Sequence, residues 1–223
     1  EYLLVEVARD RKLWRQEYNR GEAKTKLKDM GKTGNRRGTL IACRPDPEVF
    51  GAGAAFVPAR VYRMARSKAY LFRGVQIRWT CAPDLINGKD QTPTEAILHF
   101  PNGLADFLAE SLQDGPTVTP QPFAGRADLT EDEGEVEWAM HWPLESEGFV
   151  NSYCNSVPTS QGGAHEVGFR AALTKGLKAY GEMANVRKAS QLTADDILGP
   201  AAAMLSVYIR QPQFSGQTKE KLS

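Results

Sequence analysis

The chain has 223 residues, of which 41% are hydrophobic and 25% charged, a balance that excludes wholesale disorder. No apolar run is long enough to span a bilayer and no signal peptide is seen, which argues against helical membrane insertion and secretion. The net charge of +1 conceals a segregation: residues 1–80 carry 18 Lys and Arg against 8 Asp and Glu, residues 81–164 carry 2 against 14, and residues 165–223 carry 8 against 5. The first block suits phosphate or nucleic acid, or forms solvated basic faces.

Taken in chain order, "EYLLVEVARDRKLWRQEY" predicts a hairpin turning at Arg9–Lys12. Residues 19–37 are rich in Gly and Lys and read as an exposed loop. "GTLIACRP" is a short strand stopped by Pro45, and "PARVYRMARSKAYLF" has helical spacing at Val61, Met64, Ala65, Tyr70 and Leu71. "GVQIRWTC" returns to strand alternation. A second unit begins near Ile97 with the strand "ILHF" and the helix "NGLADFLAESL". "EVEWAMHW" alternates, with Val136, Trp138, Met140 and Trp142 on one face. The acidic stretch "DLTEDEGE" before it reads as a turn.

"GFVNSYCNSVP" is a further strand, followed by a long helix at about residues 165–183 with Phe169, Leu173, Leu177 and Tyr180 in one stripe. Thr193 is placed to cap a short helix, and "AMLSVYIR" is the last strand. The whole predicts a mixed α/β (α+β) fold whose second unit, residues 97–223, is one compact β-α-β body with helices on one face of its sheet.

Three patterns could carry chemistry. "PTSQGGAHEVGFR" is a Gly-Gly turn opening a helix, whose free N–H groups either bind an anion or only turn the chain. "FSGQTKEKLS" places Gln217 and Lys219 two apart, on one face if the segment is extended. A neutral donor beside a cation suits a terminal phosphate; a solvated tail is the other reading. No P-loop is present. Cys43, Cys81 and Cys154 are odd in number and have no metal-ligand spacing to His99, His141 or His165, so no metal site is assigned and a reducing, cytoplasmic setting is expected.

"NSYCNSVPTSQGGAHEVGFRAALTKGLKAY" together with "LSVYIRQPQFSGQTKEKL" resembles the B subunits of bacterial type II topoisomerases. "RRGTLIACRPDPEVFG" and "ARSKAYLFRGVQIRW" resemble the topoisomerase IV branch more than the gyrase branch, although a gyrase fragment is kept as the alternative. The resemblance implies the end of a GHKL-type ATPase domain over 1–92, then a transducer domain of β-α-β, ribosomal-protein-like fold over 93–223. Gln217 and Lys219 are the implied catalytic pair reaching the γ-phosphate of ATP. Gly38 with Thr39 falls at the adenine end of the pocket, Arg9 at its mouth, and Arg170 on a cavity that receives DNA.

The implied cofactors are ATP and Mg²⁺. The family's catalytic Glu and Mg²⁺-binding Asn lie upstream of this stretch, which is therefore expected to be inactive alone and to come from a longer chain. The implied partners are double-stranded DNA, the topoisomerase IV A subunit and a second copy of the B subunit in an A2B2 heterotetramer, with no membrane. Ala164 stands where the family usually has Thr, and "DDILGPAAA" lacks the Arg-Glu pair common in gyrases. An enzyme part, a DNA-contacting clamp segment and a purely structural coupling module all remain open at this level.

Overall fold

The computed structural model describes residues 2–86, 88, 91–113, 115–129 and 134–223. The expected acidic turn at 130–133 lies outside them. The chain divides into two compact units, Glu1–Val57 and Pro58–Ser223.

In the first unit, β1 (Tyr2–Arg9) and β2 (Lys12–Asn19) form the expected hairpin, in register from Leu3 opposite Tyr18 to Arg9 opposite Lys12. Its two-residue turn holds Asp10 and Arg11 at φ 52° and 60°, the doubly left-handed geometry that matches strand twist. The segment expected as a loop instead contributes β3 (Glu22–Ala23) and β4 (Lys28–Lys32), both paired to β2. Every residue of β4 is exposed, so no apolar alternation betrays it in the sequence. β5 (Gly38–Arg44) pairs antiparallel with β1, and the short α1 (Pro47–Phe50) comes next, capped by the Asp46 side chain. Ala8 is the one buried hydrophobic residue described in this unit.

The second unit opens with α2 (Pro58–Leu71) and the paired strands β6 (Gln76–Thr80) and β7 (Glu95–His99). Of these, α2 and β6 were read from the sequence with the first block and β7 with the second; all three fall in one compact unit with the later part of the chain. After α3 (Leu104–Leu112) come β8 (Phe123–Asp128), β9 (Gly134–His141), β10 (Phe149–Cys154) and β11 (Val157–Pro158). Then α4 (Ala164–Met183), α5 (Ala194–Leu198) and β12 (Ala202–Ile209) complete the unit. The sheet order is β11-β10-β12-β9-β8. β12 runs parallel to β10, through the α4 crossover, and antiparallel to β9.

Helices cover both faces of this sheet, where one covered face was expected. Phe169, Leu173 and Leu177 of α4 pack with Met140, Ala203 and α5's Ile197 and Leu198 on one face. Leu104 and Leu108 of α3 and Tyr70 of α2 pack with Ala139 and Met204 on the other. The reason lies in β12: "AAMLSV" is buried throughout, the continuous apolar run of a strand covered twice. Consistent with this, Glu137 is buried on the α3 face, where its carboxylate accepts from Arg73 at 2.8 Å and meets the amide that opens α3. The α4 stripe ends one turn early: Tyr180 is 68% exposed. Met64, expected on the buried side of α2, is also exposed. Thr193 caps α5 in a reciprocal box with Asp196, as its position predicts.

Candidate phosphate-binding cleft and sensor loop

The candidate site in the first unit is a product of strand register. Pairing of β1 with β5 sets Val7 opposite Thr39 and Ala8 opposite Gly38. Arg9, Gly38 and Thr39 thereby meet at one end of the sheet, lining a cleft of about 520 Å³ together with Arg37. Arg9 is highly exposed, with its guanidinium Nε 3.6 Å from the Asp10 carboxylate. Gly38 sits at φ 121°, a backbone that side chains rarely adopt. Arg11 and Arg36 line an adjoining cleft with Arg37. Four guanidinium groups gather at this hairpin end; with Asp10 beside Arg9 and Glu6 3.7 Å from Arg36, the balance is still positive and can attract an anion. Sequence reasoning missed Arg37, although "RRG" immediately before Thr39 was its signal.

The candidate site in the second unit is the segment after β12. The sequence suggested an extended run with Gln217 and Lys219 side by side. The structure corrects this: Phe214 bridges antiparallel to Leu222, and the Ser215 amide donates to Lys221 O at 3.0 Å. Between these arms the chain must reverse, and Gly216 to Lys219 form the turn, with Lys219 N donating to Gly216 O at 3.2 Å. Closure of the arms overrides the period-two pattern, and Lys219 takes φ 58° as the chain reverses. Gln217 and Lys219 are both exposed at this tip. The Lys219 ammonium lies 5.8 Å from the centre of the Phe214 ring, an orientation favourable to the cation.

The Gly-Gly turn proves to be the seat of this loop. Leu222 N donates to Gly162 O at 3.1 Å, Ala164 N donates to Leu222 O at 3.2 Å, and Gln161 N donates to Glu220 O at 2.9 Å. One N–H at the start of α4 is thus taken by the protein's own carbonyl. Gly163, at φ 144°, leaves no room for a side chain: a Cβ there would lie 2.1 Å from Leu222 O.

Arg170 lies on α4 and donates to Asp195 at 3.1 Å, at the exposed edge of α5. A larger cavity of about 840 Å³ lies between α4 and the sheet, but Phe123, Trp138, Phe169 and Leu173 line it and no Lys or Arg does, so it is not the anion site. Among the described residues no three His, Cys, Asp or Glu side chains converge to hold a metal ion.

Comparison with known proteins gives the chain its family and its fold. Residues 103–223 match the family model for DNA gyrase B. The chain is 52% identical over its whole length to the B subunit of DNA topoisomerase 4 from Caulobacter vibrioides, covering 32% of that protein. It superposes over its whole length on the 43K ATPase domain of Thermus thermophilus gyrase B, with TM-score 0.82 and 29% identity, covering 58% of that chain. It also superposes on the topoisomerase IV ATP-binding domain of Francisella tularensis, with TM-score 0.76 and 25% identity, covering 58% of that chain.

The fold is that of the ATPase region in the B subunits of type II topoisomerases. Within that class, the chain belongs to the DNA gyrase B family, and the relatives it matches along essentially its whole length are B subunits of DNA topoisomerase 4. It spans about a third of the length of the curated relatives it matches. No helix among the described residues is long and apolar enough to cross a membrane.

Proposed function

We propose that this chain is the part of a topoisomerase IV B subunit that senses the γ-phosphate of ATP and couples it to closure of a clamp on DNA. The observation that carries the reading is the loop tip, where exposed Gln217 and Lys219 stand on a turn clamped to the start of α4. An ammonium and a carboxamide on a short, doubly anchored turn can meet a phosphate oxygen with little further ordering. Arg9, Gly38 and Thr39, gathered at the β1–β5 end, are assigned to the nucleotide. The functional division follows residues 1–92 as ATPase domain and 93–223 as transducer.

In this reading ATP is the cofactor, and Mg²⁺ neutralises its phosphates from ligands outside this chain. The assembly is two B and two A subunits acting on double-stranded DNA in the cytoplasm. Arg170 contacts DNA phosphate. Contact of Lys219 with the γ-phosphate favours the closed state by its differential affinity, and hydrolysis removes the contact.

On the complete subunit, the test compares nucleotides. With a non-hydrolysable ATP analogue the protein is expected to dimerise and to slow its hydrogen exchange across 214–223, whereas ADP leaves both unchanged. Equal effects of the two nucleotides would overturn the reading. For the DNA contact, Arg170→Ala is expected to lower the salt dependence of DNA affinity by about one unit in slope, the loss of a single phosphate contact. An unchanged slope removes Arg170 from the interface.

A further inference from the structure

A chain of buried polar groups runs beneath the loop's seat. His165 Nε2 lies 3.0 Å from Thr159 Oγ1, Thr159 Oγ1 lies 2.5 Å from Ser152 Oγ, and Ser152 Oγ lies 2.5 Å from Glu166 Oε1. Thr159 and Ser152 are only 2% and 5% exposed. Hydroxyls buried this deeply must be paired, and these pair with one another.

Counting donors gives the chain a direction. An ionised carboxylate only accepts, so Ser152 donates its proton to Glu166. With that proton used, Ser152 accepts from Thr159, and Thr159 accepts from His165 Nε2–H. The imidazole is then the neutral Nε2–H tautomer. Its Nδ1 is the bare nitrogen, and that atom is buried with no hydrogen-bond partner among the described residues. Burial favours this neutral form and pushes the His165 pKa down, against the opposing pull of the Glu166 carboxylate.

The four residues straddle the Gly162–Gly163 turn. Ser152 is on β10, Thr159 follows β11, and His165 and Glu166 are in the first turn of α4. The Thr159 and Ser152 backbones are also tied, Thr159 N donating to Ser152 O at 2.9 Å. Glu166 lies against the turn: its amide donates to Gly163 O at 3.1 Å, and its Oε2 would stand 2.8 Å from a Cβ at Gly162. Among the described residues, the backbone bonds joining loop 214–223 to the rest of its unit at this turn end on Gln161, Gly162 and Ala164. The turn is thus one anchor of the loop, beside the buried Leu222 side chain packed with Cys154 and Val207.

We propose that Glu166, hydrogen-bonded by Ser152, is a positioning residue for phosphate sensing: it locks the Gly162–Gly163 turn and so fixes where Gln217 and Lys219 stand. The role in turnover rests on the loop reading given above; the role in anchoring the loop does not. Glu166→Gln keeps an acceptor for Ser152, whereas Glu166→Ala and Ser152→Ala each remove the bond.

The experiment measures hydrogen exchange and steady-state ATP turnover on the complete subunit. Glu166→Ala and Ser152→Ala are expected to speed exchange in the peptide 214–223 by about tenfold or more, with the β12 peptide 202–209 unchanged. kcat is expected to fall about tenfold with KM for ATP within about twofold, and Glu166→Gln to restore most of both losses. Unchanged loop exchange in both removal variants overturns the proposal. So does equal acceleration of 202–209, which would make the network a general support of the fold. Faster loop exchange at unchanged kcat, in a protein that Lys219→Ala inactivates, overturns the positioning role. If Lys219→Ala retains full turnover, the phosphate-sensor reading fails instead, and the exchange data still decide the anchoring.

Discussion

Replacing Lys219 by Ala in the complete subunit is expected to lower steady-state ATP turnover by roughly two or more orders of magnitude, the usual loss when a charge-stabilising donor is removed. The turn explains why this residue outranks its neighbours. Lys219 closes the tip, with its amide bonded to Gly216 O, whereas the Lys221 carbonyl is tied to Ser215 N in the returning arm. In the structure the ammonium is exposed beside Phe214. In water such a group contributes little; against a phosphate in a dry site the same charge is worth several kcal/mol, because the dielectric is low. Gln217→Ala, which removes a neutral donor, is expected to lower turnover by less. Lys221→Ala is expected to be near neutral. A Lys219→Ala protein turning over ATP at the wild-type rate would show the loop to be a solvated appendage.

Gly163→Ala is expected to detach the loop from its seat. Its Cβ would stand 2.1 Å from Leu222 O and 2.7 Å from Leu222 N, at a φ of 144°. Backbone, unlike a flexible side-chain end, cannot step aside, so the arm carrying Leu222 has to leave. Forcing a side chain into this conformation costs about 1–3 kcal/mol. The two backbone bonds between Leu222 and the turn add about 1 kcal/mol each. Loss of about 3–5 kcal/mol in chemical denaturation is therefore expected, with turnover falling to the level of Lys219→Ala. Gly168→Ala on the same helix has open space around its Cβ and serves as the control. Equal stabilities of the two variants would refute the close approach.

How much of this is legible in the sequence depends on what each residue answers to. The β1–β2 hairpin, the alternation of β9 and the Thr193 cap obey local rules, and all three stand as read. β4 does not, because "KDMGK" pairs through its backbone while every side chain faces solvent. The stripe of α4 runs true through Leu177 and then passes the edge of what it covers, which periodicity cannot foresee. Two covered sheet faces were visible only in the composition of "AAMLSV".

At the site, Arg9, Gly38 and Thr39 converge because register places them, and the resemblance had already named them. The tip at Gln217–Lys219 was expected to be straight, since alternation ignores that Phe214 and Leu222 pair. Glu166 escaped notice altogether. A Glu in the first turn of a helix is ordinarily explained by the helix dipole, and only the hydroxyls at Thr159 and Ser152, earlier in the chain and brought beneath it by the fold, give it another task.

The position of β12 also bears on how the protein is made. It is the last strand of its sheet in chain order, yet it lies at the centre, between β10 and β9. As a ribosome releases the chain, β9 and β10 emerge as neighbours in time that must not become neighbours in space. Each keeps an unpaired edge until β12 arrives, its first residue Ala202 standing well beyond Cys154 at the end of β10. At about 5–20 residues per second, a gap on the order of 50 residues means a wait on the order of 3–10 s. During it, apolar strands with open edges can pair wrongly with each other or with another nascent chain. Yield in living cells is therefore governed by residues 155–201, which set how long the gap stays open, as much as by the stability of the finished sheet.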